Sequence, residues 1–231
     1  MFKKSIIVCV SAAAILAAGA AQAAIPVVFY SLGSGVDTPL NTDTLLNGAT
    51  TTLNPALWSG TGGFIQTGSN SNGALPAGPS QYVGPDYLTV PGGSETLTLP
   101  SADAGDRYIQ IYIGSLDTYN SISFVTTGGT YDYIGGNADA GGATALTDYT
   151  HGLANGSQPS ALTNGYFTFL FPSAIKSVTF SSTQQAFEIA DIRVAPVPEP
   201  AAWALMILGV GLTGAALRLS RRNTGPLLAA V

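Results

Sequence analysis

Tyr108-Ile109-Gln110-Ile111-Tyr112-Ile113-Gly114 alternates without a break, with isoleucine at 109, 111 and 113 and Tyr, Gln and Tyr between them. A period of two marks a strand with two chemically different faces, because successive Cβ atoms point to opposite sides of a sheet. The run turns through Gly114-Ser115-Leu116-Asp117-Thr118-Tyr119-Asn120 into a second extended run, Ser121 to Thr126. Further out, comparable runs lie at Ile25 to Tyr30, Gln81 to Val90, Glu95 to Leu99, Thr130 to Ile134, Tyr166 to Phe171, Ile175 to Ser181 and Ala186 to Val194. Gly, Asn, Ser and Pro clusters separate them, which is the pattern of antiparallel sheets. The expectation is an all-β chain, with an antiparallel β-sandwich of jelly-roll-like type over 24–195; a closed barrel is the alternative that strand spacing leaves open. Residues 33–80 and 135–163, rich in Gly, Asn, Ser and Thr, read as long loops or irregular edge strands.

The composition of the whole chain fits no ordinary cytosolic globule. It has 231 residues, 46% of them hydrophobic and 9% charged, with a mean hydropathy of +0.31, whereas soluble domains average about 25% charged residues. The excess sits at the two ends. Lys3 and Lys4, the apolar run Ile6 to Leu16 and the small-x-small ending Ala21-Gln22-Ala23 predict a signal peptide over 1–23. Signal peptidase would read Ala21 and Ala23 and cut after Ala23. The single cysteine, Cys9, lies inside that segment. The mature chain then has no thiol, which excludes disulfides, thiolate nucleophiles and Cys-ligated metals.

Near the other end, residues 201–217 read AAWALMILGVGLTGAAL with no charge. As a helix they reach roughly 26 Å, the short limit for a single transmembrane span. Arg218, Arg221 and Arg222 follow, and the positive-inside rule keeps them cytoplasmic, so the body faces outward. Trp203 is placed as an interfacial aromatic at the outer start, and 223–231 form a short cytoplasmic tail.

Val197-Pro198-Glu199-Pro200 stands directly ahead of that block. A Pro-Glu-Pro triplet, an apolar helix containing Trp203 and the Arg218, Arg221, Arg222 cluster, in this order near the C-terminus, resemble the PEP-CTERM sorting signal of Gram-negative surface proteins, here over 196–222. The resemblance implies that exosortase, a membrane-embedded transpeptidase-like enzyme, reads the tail and processes the chain near Pro198, Glu199 and Pro200. The inner membrane holds the intermediate, and the product goes to the cell surface or extracellular matrix. Proline on both sides of Glu199 keeps that stretch extended, as an enzyme cleft needs. Relatives of this kind usually stop within a few residues of the arginines, whereas this chain runs on to Val231.

The body carries a second resemblance. Gly114-Ser115-Leu116-Asp117-Thr118-Tyr119-Asn120 and the later Ser182-Thr183-Gln184-Gln185-Ala186-Phe187-Glu188-Ile189-Ala190-Asp191-Ile192 are similar to phrases shared by a group of exosortase-dependent surface proteins. That group usually has Asp-Asn-Ile where this chain has Ala190-Asp191-Ile192, and the resemblance implies no enzymatic activity.

Between the terminal segments, Arg107, Lys176 and Arg193 stand against twelve acids, a net charge of −9. Such a surface repels phosphate backbones and excludes nucleic acid as a partner. No catalytic residue is assigned. His151, the only histidine, lies in a Gly-rich stretch without a Gly-x-Ser-x-Gly elbow. Paired carboxylates at unknown separation do not by themselves mark a glycosidase. No metal site and no cofactor are assigned, with calcium the one candidate through Asp103, Asp106, Asp117, Asp132 and Asp139; Asx turns are the more economical reading of these residues. Tyr108, Gln110 and Tyr112 share one strand face and are the candidate sugar-stacking surface, to be weighed against the plain strand propensity of tyrosine. The functional expectation is a structural or adhesive exported protein, not an enzyme, associated with exopolysaccharide; the rival is a secreted glycan-acting hydrolase.

Overall fold

In a computed structural model, the alternating run is strand β7 (Tyr108–Gly114), and its isoleucines enter the main core while its tyrosines face the other way. The structure describes residues 26–31, 43–47, 49–77, 84–103, 105–136, 143–150, 154–157, 160, 163–196, 207–214 and 218. Thirteen strands are present among them: β1 (Val27–Ser31), β2 (Asp43–Leu46), β3 (Trp58–Gly60), β4 (Phe64–Thr67), β5 (Asp86–Val90), β6 (Gly93–Thr98), β7, β8 (Asn120–Thr126), β9 (Thr130–Ile134), β10 (Thr144–Ala145), β11 (Gly165–Leu170), β12 (Ile175–Ser182) and β13 (Phe187–Ala195).

They form two sheets. One has the order β1-β11-β7-β13-β5-β4, with β2 also on β13, and the other β10-β9-β8-β12-β6-β3. All pairings are antiparallel except the short β9–β10 contact. The chain changes sheet at β2–β3, β3–β4, β5–β6, β6–β7, β7–β8, β10–β11, β11–β12 and β12–β13, the crossing habit of a jelly-roll-like sandwich. The four strands inside 33–80 and 135–163 are short, and β3, β4 and β10 are sheet edges, where pairing on one side suffices.

Inner-face residues of both sheets make the core. Ile109, Ile111 and Ile113 of β7, with Phe167 and Phe169 of β11, meet Ile122 and Phe124 of β8 and Val178 and Phe180 of β12. Phe124 links the two sheets: its ring lies 4.7 Å from Phe169, 4.8 Å from Phe171 and 5.8 Å from Tyr133, centroid to centroid. Tilted and edge-on rings at such spacings add about 0.5–1.5 kcal/mol per pair beyond area burial.

Every residue of β7 is buried, because its second face is covered as well. A smaller cluster of Tyr87, Tyr112, Tyr166 and Ala190 lies on the outer face of the first sheet, with Leu75 packed onto it. Residues 68–77 cross this face. Gln66 Nε2 donates to the carbonyls of Gly68 (3.0 Å) and Gly73 (2.9 Å), and Thr89 Oγ1 donates to Asn72 O at 2.8 Å. A Cβ on Gly73 would come within 2.6 Å of Thr89 Oγ1, so only glycine lets the segment lie this close.

Burial corrects the expectation for Tyr108, Gln110 and Tyr112. Their exposures are 7%, 2% and 1%. The Tyr112 ring meets Tyr166 edge-on at 4.9 Å, its hydroxyl donates to Ala77 O, and Gln110 Nε2 donates to Thr168 Oγ1 at 3.1 Å. No sugar ring can stack on this face as it stands. Alternation distinguishes the two faces of a strand; it does not say that the second is dry.

Candidate functional site

The β7–β8 turn and the start of β13 converge at one end of the outer face. Ser115 leaves β7 with φ 44, the left-handed region that costs a non-glycine residue about 1 kcal/mol or more. Two contacts hold it there: its N–H donates to Asn164 Oδ1 at 3.0 Å, and its Oγ donates to Glu188 Oε2 at 2.6 Å. The other Glu188 oxygen, Oε1, accepts from the Ala74 N–H at 3.0 Å. Glu188 therefore ties the β7–β8 turn and the 68–77 segment to β13. It is 3% exposed, and burial pushes its carboxyl up to about 7, against the two hydrogen bonds, with the Asp117 charge pushing further the same way.

Two residues beyond Ser115, Asp117 is half-buried. The Tyr119 hydroxyl donates to Asp117 Oδ2 at 2.6 Å and lies 2.7 Å from Gln185 O, tying the turn to the segment ahead of β13. Burial raises the Asp117 carboxyl above its ordinary range, opposed by the Tyr119 hydrogen bond. Burial and then Asp117 raise the Tyr119 phenol, which stays protonated. Asn164 joins the third strand of chain: Nδ2 donates to Ser157 O at 3.1 Å and Ser160 O at 2.9 Å, while Oδ1 also accepts from the Ala77 N–H at 3.1 Å. Between these segments lies an open cleft of about 300 Å³, walled by Asn70, Ser71, Asp117, Tyr119, Gln185 and Glu188 among others. The two phrases singled out in the sequence, around 114–120 and 182–192, thus meet at one place. Asn164 and Gly156 were not singled out, because a structural Asn or Gly in a Gly- and Ser-rich stretch carries no pattern of its own.

The other described sequence-based candidates do not join this cleft. Asp103 and Asp106 are buried beside the 3-10 turn Ser101–Asp103, and Asp132 is exposed on β9. Among the described residues no three His, Cys, Asp or Glu side chains gather as metal ligands. Cys9, Ala21, Ala23, Asp139, His151, Pro198, Glu199, Pro200, Trp203, Arg221 and Arg222 lie outside the described residues. Arg218 is helical and exposed. Residues 207–214 are helical, with Ile207, Leu208, Val210 and Leu212 all exposed; among the described residues no helix is long and apolar enough to cross a membrane.

β13 ends at Ala195, buried and paired with Tyr108 in the first sheet. From the next residue onward, residues 196–222 match the PEP-CTERM protein-sorting motif. The chain carries a PEP-CTERM sorting domain. This domain marks an exported protein, handled by an exosortase and sorted to the cell surface of a Gram-negative bacterium. The PEP-CTERM motif begins where the sandwich stops, so addressing and folding occupy separate segments. No curated protein matches the chain. Among solved structures, the K2 cleaved adhesin domain of Lys-gingipain aligns with a TM-score of 0.38 and 14% identity, over 68% of this chain and 98% of that one. At that score the likeness carries no inference about role.

Proposed function

We propose that this protein is delivered by a signal peptide cut after Ala23, held in the inner membrane through 201–217, processed by exosortase near Pro198-Glu199-Pro200, and left in the extracellular matrix as a structural or adhesive β-sandwich associated with exopolysaccharide. The observation that carries the reading is the sorting motif over 196–222, which starts one residue after the last strand. The body is read as non-enzymatic. The two oxygens of Glu188 and one of Asp117 already accept hydrogen bonds within the fold, the use expected of carboxylates that brace a structure. The test is mass spectrometry of the C-terminus in cells with and without exosortase. Loss of the tail only when the enzyme is present supports the reading; an intact tail in both overturns processing and leaves a permanent inner-membrane anchor.

A second reading is favoured by one specific observation. Glu188, pushed up to about 7, shares its cleft with a second acid, Asp117, and two carboxyls in different environments are the pattern of a glycoside hydrolase. Release of reducing ends from the cell's own exopolysaccharide, abolished by Glu188→Gln, would establish that reading over the structural one.

A further inference from the structure

The cleft between residues 70–74, 115–119 and 185–188 has the chemistry of a binding site. Its space is built into the backbone. A Cβ on Gly156 would lie 2.6 Å from both carboxylate oxygens of Asp117, so glycine there leaves room at the acid where any side chain would fill it. The cleft also has unspent hydrogen-bonding capacity. Asp117 Oδ2 takes the Tyr119 hydroxyl, whereas Oδ1 accepts nothing from the described residues, and the Gln185 side-chain amide is exposed at the rim with only its backbone carbonyl engaged. Asn70 Oδ1 accepts from the Asn72 N–H at 2.7 Å, which turns the asparagine so that its amide nitrogen is left to donate.

The charge of the walls selects among ligands. Among the described residues no Lys or Arg lines the cleft, while Asp117 and Glu188 do, so an anionic ligand meets repulsion from the acids. A calcium ion takes six to eight oxygens; with both Glu188 oxygens and Asp117 Oδ2 already accepting, one carboxylate oxygen is free. The unspent groups, one carboxylate oxygen that accepts and two side-chain amides that donate, suit a neutral ligand that both donates and accepts through several hydroxyls. A volume of about 300 Å³ stands at the small end of ligand pockets, enough for one ring and not for an extended chain.

We propose that this cleft binds a single neutral, hydroxyl-rich sugar residue, with Asp117 Oδ1 accepting from ring hydroxyls and the amides of Gln185 and Asn70 donating to them. The proposal rests on the matrix-associated, non-catalytic reading above and gives that reading a site, in place of the buried Tyr108–Tyr112 face.

The test uses the full-length chain in detergent, titrated with methyl glycosides of glucose, galactose and mannose, with glucuronic and galacturonic acids, and with glucosamine, followed by ligand-observed NMR. At least one neutral glycoside is expected to bind with a Kd of the order of 1 mM. Asp117→Ala is expected to weaken it about tenfold, and Gln185→Ala, at an exposed side chain that the fold does not use, to weaken it measurably with an unchanged melting midpoint. Asp132→Asn on β9, away from the cleft, is expected to leave binding intact. Absence of binding by every neutral glycoside, preference for a uronic acid, binding by glucosamine alone, or unchanged affinity in both Asp117→Ala and Gln185→Ala overturns the proposal. Tail processing is scored separately, in cells with and without exosortase: a tail lost only with the enzyme, together with a full-length chain that binds no sugar, removes the cleft proposal alone, and a sugar-binding chain whose tail stays intact in both removes the sorting route alone.

Discussion

Ser115 Oγ donates a 2.6 Å hydrogen bond to Glu188 Oε2 across 73 residues of chain, joining the turn after β7 to the second residue of β13. Because Glu188 is buried and its other oxygen holds Ala74, the pair pins the outer cover of the first sheet. Ser115→Ala leaves a buried acceptor with one donor fewer and is expected to lower unfolding free energy by about 1–3 kcal/mol, measured by urea titration.

The same carboxyl sets a pH dependence. Its folded value of about 7 lies above the ordinary 4.5, so the folded state holds the proton more tightly than the unfolded chain. The stabilising contribution is fully present below about pH 4.5 and is lost as pH rises through about 7, a change of the order of 3 kcal/mol. Burial raises Asp117 and Asp191 as well, so they add slope of the same sign. Urea unfolding at pH 5 and pH 8 should show lower stability at pH 8, and Glu188→Gln should reduce the difference. In Ser115→Ala the Glu188 carboxyl loses a donor that favours its ionised form, so the transition should move to higher pH. An identical pH profile in wild type and Glu188→Gln would contradict the assignment.

Tyr112 supplies a test of the covered face. Its ring is packed on Tyr166 and its hydroxyl is spent on Ala77 O, so Tyr112→Ala opens a cavity and should cost about 3–5 kcal/mol. Tyr112→Phe keeps the ring and should cost about 1 kcal/mol. A face open to sugars would show the reverse: little change in melting and a loss of retention by polysaccharide.

Gly135 probes the wall behind the cleft. A Cβ there would lie 1.8 Å from Asp117 O, a backbone atom that cannot swing aside. Gly135→Ala must therefore displace the β7–β8 turn or the end of β9, at a cost of about 1–3 kcal/mol by thermal melting.

How much of this was legible beforehand follows from the physics of each element. β7 declares itself because isoleucine on the core face alternates with Tyr, Gln and Tyr on the covered outer face, which imposes a period of two, and the predicted Thr130–Ile134 coincides with β9. The short edge strands β3, β4 and β10 bury too little to impose such a pattern. Glu188 and Asp117 were visible as residues of two suggestive phrases, yet nothing in a linear chain brings positions 71 apart together; that is the work of sheet register, which sets Glu188 opposite Gly114. The burial of Tyr112 was hidden for a related reason, since its cover comes from a segment whose Gly, Asn and Ser content reads as open loop.

The sorting segment yields the last prediction. The sandwich closes at Ala195, which is buried against its neighbours in the first sheet, and the Pro-Glu-Pro triplet starts only three residues later. Folding of the body and recognition of the tail should then separate cleanly under mutation. Glu199→Ala removes the charge between two prolines without touching any strand, so the thermal midpoint of the body should stay within error of wild type. Processing should fall, leaving most chains with the intact mass through Val231 in the membrane fraction. Replacing Ala195 by Asp should do the opposite: an unpaired carboxylate in a fully buried position destabilises the sandwich by several kcal/mol while the motif itself is unchanged. If Glu199→Ala is processed at the wild-type rate, the triplet is not what the enzyme reads, and the recognition must lie in the apolar helix and its arginines.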